Sequence, residues 1–202
     1  MSGDDKPSLD LTSALAHPLF QQPWPEGEFR FFQVGYIVDD LLAAAGKWAQ
    51  TFGVGPFHVL PRVKVECTYR GAPSGLDVQV GVAQAGPVQI ELIQQNDDRP
   101  SVYRELAAPG SSLMHQLATV TADYDGQPAH YASLGYDLVC EVITPDQRVA
   151  YFDTVADFGF YVEVIEHSPL FLKHITAIAR TCAQWDGTDP VRLLTRDGYR
   201  TP

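Results

Sequence analysis

The chain has 202 residues, 45% hydrophobic and 19% charged, enough for one domain of ordinary size or two small units sharing a core. Its formal net charge of −11, with no basic cluster, argues against nucleic acid and anionic membrane as partners. Three widely spaced cysteines, Cys67, Cys140 and Cys182, form no CxxC pair and read as reduced thiols of a cytoplasmic protein.

Residues 1–27, rich in Pro, Asp, Ser and Gln, read as an N-terminal arm anchored by Phe20 and Trp24. No basic segment leading into an apolar run is visible there, so no signal peptide is expected. Residues 28–38 form a first strand. Asp39 and Asp40 cap a helix over 41–52, whose apolar residues recur at helical spacing, and Gly53 stops it. Residues 57–70 are strand-rich with Pro61 as a kink, 71–75 a turn, and 76–85 a strand of alternating pattern. Residues 87–94 form a fourth strand that carries Glu91. Residues 96–112 read as a linker with a short helix between Pro100 and Pro109.

The second half repeats the plan. Strand 113–121 precedes a helix that Asp123 opens and Gly135 ends; strands follow over 136–143, 147–154 and 160–166, the last carrying Glu163. The spacing from Gln33 to Gln116 recurs from Asp40 to Asp123. The predicted class is α+β: two βαβββ modules, 28–95 and 113–167, forming a cupped mixed sheet. The segment 168–202 adds a C-terminal helix, opened by Ser168 and Pro169, and a turn-rich tail. Both Ile90–Gln94 and Val162–Glu166 place a carboxylate inside an apolar strand, which is costly unless a cation or hydrogen bonds compensate it.

On the stretches 33–57, 88–94, 112–125, 148–154 and 160–166, the chain resembles the vicinal oxygen chelate superfamily. This superfamily includes glyoxalase I, methylmalonyl-CoA epimerase, extradiol dioxygenases and metal-free bleomycin resistance proteins. The resemblance implies a divalent-metal site (Mg, Mn or Zn) at Gln33, Glu91, Gln116 and Glu163, with Glu163 and Glu91 as catalytic groups and Glu163 the first choice of base. Oxygen ligands of this kind suit Mg and Mn better than Zn. His115 stands one residue before the ligand position and, by strand alternation, should point away from the cup unless a bulge intervenes. Tyr36, Arg104 and Tyr161 are candidate substrate-binding residues; Arg70 is a further cation for an anionic substrate. The expected function is a glyoxalase- or epimerase-like isomerase or lyase acting on a small carbonyl compound with vicinal oxygens. The alternative is a metal-free small-molecule-binding protein. A homodimer is expected, with the arm or the C-terminal helix crossing to the partner.

Overall fold

The computed structural model describes residues 31–202. The arm with Phe20 and Trp24 lies outside the described residues. The chain runs β1 (Phe31–Ile37), α1 (Leu41–Phe52), β2 (Phe57–Val59), β3 (Val63–Tyr69), β4 (Ala72–Ala85), β5 (Val88–Gln95) and α2 (Val102–Leu106). It continues with β6 (Leu113–Thr121), α3 (Gln127–Ser133), β7 (Leu138–Ile143), β8 (Arg148–Phe152), α4 (Val155–Phe158) and β9 (Tyr161–Glu166). Last come α5 (Pro169–Ala183), β10 (Val191–Thr195) and β11 (Gly198–Arg200). The fold is α+β and dominated by its sheet. No helix among the described residues is long and apolar enough to cross a membrane.

Local chemistry sets the elements. The Asp40 carboxylate accepts from Ala43 N–H, the Gln94 amide oxygen accepts from Leu41 N–H at 2.9 Å, and Gly53 closes α1 in the left-handed region at φ 64°. The turn expected over 71–75 is shorter. Arg70 and Gly71, both at positive φ, make a two-residue hairpin, and β4 runs straight through Pro73 and Gly75. The tail, expected to be turns only, supplies β10, which pairs in parallel with β2.

The sheet closes on itself. Strands β4, β3, β7, β8, β9, β6, β1 and β5 follow one another around a ring, and β5 returns to β4. The expected open cup is therefore a barrel. Closure comes from β3 meeting β7, with Tyr69 opposite Cys140. Three apolar cores follow from strand alternation. Ile37, Leu76, Val78, Ile93, Cys140, Tyr151 and Tyr161 fill the interior, where the linker helix α2 adds Val102 and Tyr103. Leu41 and Ala45 of α1 pack outside on Ile90 and Leu92; Tyr131 of α3 packs outside on Phe152, ring on ring at 4.0 Å. The last helix, α5, packs on its own chain's β4.

The two halves share their pairing. Strand β1 runs parallel to β5, with Gln33 opposite Gln89 and Gly35 opposite Glu91. Strand β6 runs parallel to β9, with Gln116 opposite Tyr161 and Ala118 opposite Glu163. Strands β1 and β6 lie antiparallel at the seam, Gln33 against Ala118 and Gly35 against Gln116. The glutamates of β5 and β9 therefore flank the β1–β6 seam from its two sides.

Candidate functional site

The barrel interior gathers Glu91, Gln116 and Glu163 around one carboxamide. Gln116 Nε2 lies 3.0 Å from Glu91 Oε2 and 3.4 Å from Glu163 Oε2. The other oxygen of Glu163 accepts from Tyr151 Oη at 2.8 Å, and Tyr151 meets the Tyr103 hydroxyl at 3.0 Å. Gln116 and Glu163 are buried, and Glu91 is half-buried. These surroundings raise both carboxyls. Burial lifts Glu91 well above its ordinary value and the neighbouring Glu163 adds to the rise, against the Gln116 bond. Burial likewise lifts Glu163, opposed by its bonds from Tyr151 and Gln116. The pair resists double ionisation.

Gly35 makes this geometry possible. The Gln116 side chain lies across the β1 backbone, where a Cβ on Gly35 would overlap the carboxamide. Gly35→Ala should therefore push Gln116 off the two glutamates and cost about 1–3 kcal/mol of stability. Urea unfolding measures this, and an unchanged midpoint would contradict the close approach.

His115 points into the barrel, against the alternation rule. The register slips between Gly35 and Tyr36: Gly35 faces Gln116 but Tyr36 faces Met114. His115 is thus the extra residue of a β-bulge, and two consecutive side chains turn inward. Its ring packs among Tyr103, Tyr151 and Tyr161. His115 Nε2 is 3.1 Å from the Val102 carbonyl, and Nδ1 meets Gln116 Oε1. A carbonyl only accepts, so Nε2 carries the hydrogen. Burial lowers the His115 pKa, which favours the neutral ring, and a neutral ring then offers Nδ1 as an acceptor. That pattern calls for the Gln116 NH₂ toward His115 and its oxygen toward the glutamates, where the amide accepts from a protonated carboxyl and no longer holds their pKa values down. The opposite amide orientation requires an imidazolium.

With its oxygen inward, Gln116 joins two carboxylates to make an all-oxygen donor set. This set fits a hard divalent cation such as Mg²⁺ or Mn²⁺. Among the described residues, no three His, Cys, Asp or Glu side chains form a metal-binding group. Gln33 does not join the set: its Nε2 donates to Gln89 Oε1 at 3.3 Å, and its own Oε1 is buried without a partner.

Two residues expected to contact substrate lie away from the carboxylate cluster. Tyr36 lies on the outer face of β1 against Trp48, at 5.1 Å between ring centroids, because residues flanking the inward Gly35 must face outward. Arg104 binds the carbonyls of Gln95 and Asp97 and so ties down the linker. Tyr161 does face inward, and its hydroxyl lies 2.5 Å from Glu105 Oε2. Sequence reasoning passed over Tyr103, Glu105 and the linked hydroxyls. A tyrosine and a glutamate two apart in a linker carry no periodic signal. Adjacent polar residues inside a strand, His115 and Gln116, were the one signal available for the bulge, and alternation alone had sent His115 outward.

The model of the Glyoxalase/Bleomycin resistance protein/Dioxygenase superfamily matches residues 32–152, more than half of the chain. The chain belongs to that superfamily. Among solved structures, it is similar to methylmalonyl-CoA epimerase from Mycobacterium tuberculosis at 19% identity and a TM-score of 0.52, covering 76% of this chain and 98% of that one. A Streptomyces coelicolor methylmalonyl-CoA epimerase variant in complex with 2-nitronate-propionyl-CoA matches at 17% identity and a TM-score of 0.51, covering 71% and 97%. A hypothetical protein from Bacillus halodurans matches at 13% identity and a TM-score of 0.50, covering 69% and 94%. No curated protein matches the chain.

Proposed function

We propose that this protein is an epimerase- or isomerase-type enzyme that moves a proton at a carbon next to a carbonyl group. The observation that carries the reading is the pair Glu91 and Glu163, joined through one carboxamide with both pKa values raised. A raised carboxyl is suited to exchanging protons near neutrality. In this reading Glu163, oriented by Tyr151, takes the proton from one face of the carbon. Glu91, from the other side of the seam, holds the proton that is returned. Gln116 keeps the two carboxyls in register, and the tyrosine-lined barrel excludes water. A divalent cation held by Gln116 and one of the two glutamates would supply charge stabilisation for an enolate-like oxygen and leave the other glutamate as the proton carrier. The two halves, in this reading, are copies of one βαβββ unit whose matched glutamates became the two proton carriers; the shared register of β1–β5 and β6–β9 supports it.

The test is exchange of carbon-bound hydrogen in deuterium oxide, followed by NMR. Thioesters and 2-oxo acids are offered with Mg²⁺, with Mn²⁺ or with a chelator. Enzyme-dependent exchange of one class supports the proposal, and no exchange with any of them overturns it. The second reading, a metal-free binding protein, draws on the Gln33–Gln89 bond, which occupies the fourth expected ligand. It predicts ligand binding without exchange.

A further inference from the structure

At one mouth of the barrel, four donor atoms converge on a single carboxylate, and that carboxylate belongs to the linker helix α2. Tyr69 Oη donates to Glu105 Oε1 at 2.5 Å and Tyr161 Oη to Oε2 at 2.5 Å. Arg70 donates through Nε to Oε1 and through Nη2 to Oε2, both at 2.6 Å. This is a two-pronged arginine clamp flanked by two phenols, the arrangement that recognises a carboxylate. Arg70 Nη2 also reaches Asp153 Oδ2 at 3.2 Å. The clamp is open to water: the Arg70 side chain is 47% exposed and that of Glu105 20%.

We infer that Tyr69, Arg70 and Tyr161 form the binding site for a substrate carboxylate, and that Glu105 occupies it as a built-in stand-in until substrate displaces helix α2. The substrate class is then a small carbonyl compound that bears a free carboxylate; that assignment rests on the proton-transfer reading above. Two further features place the cradle in the same site. Tyr161 and Glu163 share one face of β9 two residues apart, so about 7 Å separates their backbones. A carboxylate held by Tyr161 therefore brings a carbon a few bonds away to Glu163. The same helical turn also inserts Tyr103, whose hydroxyl meets Tyr151, the donor to Glu163. One turn thus covers both the cradle and the proton-carrying pair. It is a short turn of five residues, Val102–Leu106, lying between Pro100 and Pro109. Exchanging one carboxylate for another leaves the clamp's hydrogen bonds intact, so displacement replaces like with like.

Calorimetric titration with malonate in chelator tests this, with malonamide as the uncharged control. The chelator removes any binding through a metal. The wild type should bind malonate weakly, since its own Glu105 competes. Glu105→Ala should bind at least about tenfold more tightly, as expected when a competing closed state is removed. Arg70→Ala in the Glu105→Ala background should abolish the gain, and malonamide should not bind. Glu105→Gln, which keeps the side-chain shape and drops the charge, serves as the second variant should the alanine protein fail to melt cooperatively. A folded Glu105 variant with no gain overturns the inference, as does a gain that survives loss of Arg70 or extends to malonamide. Malonate binding without any hydrogen exchange would sink the enzyme reading alone, whereas exchange without a malonate gain would sink this inference alone.

Discussion

Glu163→Gln should reduce hydrogen exchange at the substrate carbon by at least about 100-fold, the usual contribution of a positioned general base. Glutamine keeps the shape and can still bond Tyr151 and Gln116, so the barrel should remain folded. Tyr151→Phe separates orientation from chemistry. Tyr151 donates to Glu163 Oε1 at 2.8 Å, and that bond holds the Glu163 pKa down against burial. Its loss should move the rising limb of the exchange–pH profile to higher pH while activity persists. Exchange measured across pH for the three proteins decides the matter. Full activity in Glu163→Gln would remove Glu163 from the mechanism, and an unmoved profile in Tyr151→Phe would deny the phenol its role.

Local chemistry made much of the fold legible, and distance along the chain hid the rest. Helix α1 lies where the spacing of Leu41, Ala45 and Ala49 and the signals at Asp40 and Gly53 place it. Strand β6 coincides with its expected span, and the carboxylate strands β5 and β9 were readable because each sets one glutamate among apolar residues. Strand β10 was not readable, since its partner β2 is remote in sequence and three residues long. Barrel closure rests on two registered pairs between β3 and β7, Thr68 with Glu141 and Tyr69 with Cys140, and no local pattern announces such a contact. For the site, strand position brought Glu91, Gln116 and Glu163 together but overreached at Gln33, where a neighbouring glutamine competes for the amide. Tyr36 lies away from the cluster for a different reason: alternation, applied from Gly35, sends it outward. The Glu105 cradle depends on a linker folding back over the barrel mouth, a tertiary event with no periodicity to read.

In chelator, Glu91→Gln should make the protein more stable at pH 8 and leave it unchanged at pH 4. The sign follows from the direction of the shifts. The ordinary glutamate value is 4.5, and both Glu91 and Glu163 are raised above it in the folded chain. Between the ordinary and the raised values, the native state keeps protons that the unfolded chain has released. Stability is therefore fully present below the ordinary value and falls as pH rises through the raised ones. The groups around the pair do not reverse this. Tyr103 and Tyr151 are themselves pushed well above their ordinary values, chiefly by burial, and stay neutral, as does His115. Carboxylates held low by cations, such as Glu105 and Asp77, act in the opposite sense, but equally in both proteins, so they cancel from the difference. Glutamine at position 91 removes one member of the repelling pair and keeps an amide that can still bond Gln116. Each pKa unit relieved is worth about 1.4 kcal/mol, which for a chain of this size is about 3–6 °C in melting temperature. Melting curves of the two proteins at pH 4 and pH 8 measure the effect. An equal melting temperature at pH 8 would mean that hydrogen bonds already compensate the ionised pair. A lower one would mean that the Glu91 carboxylate stabilises the fold without any cation, which is incompatible with two raised carboxyls sharing Gln116.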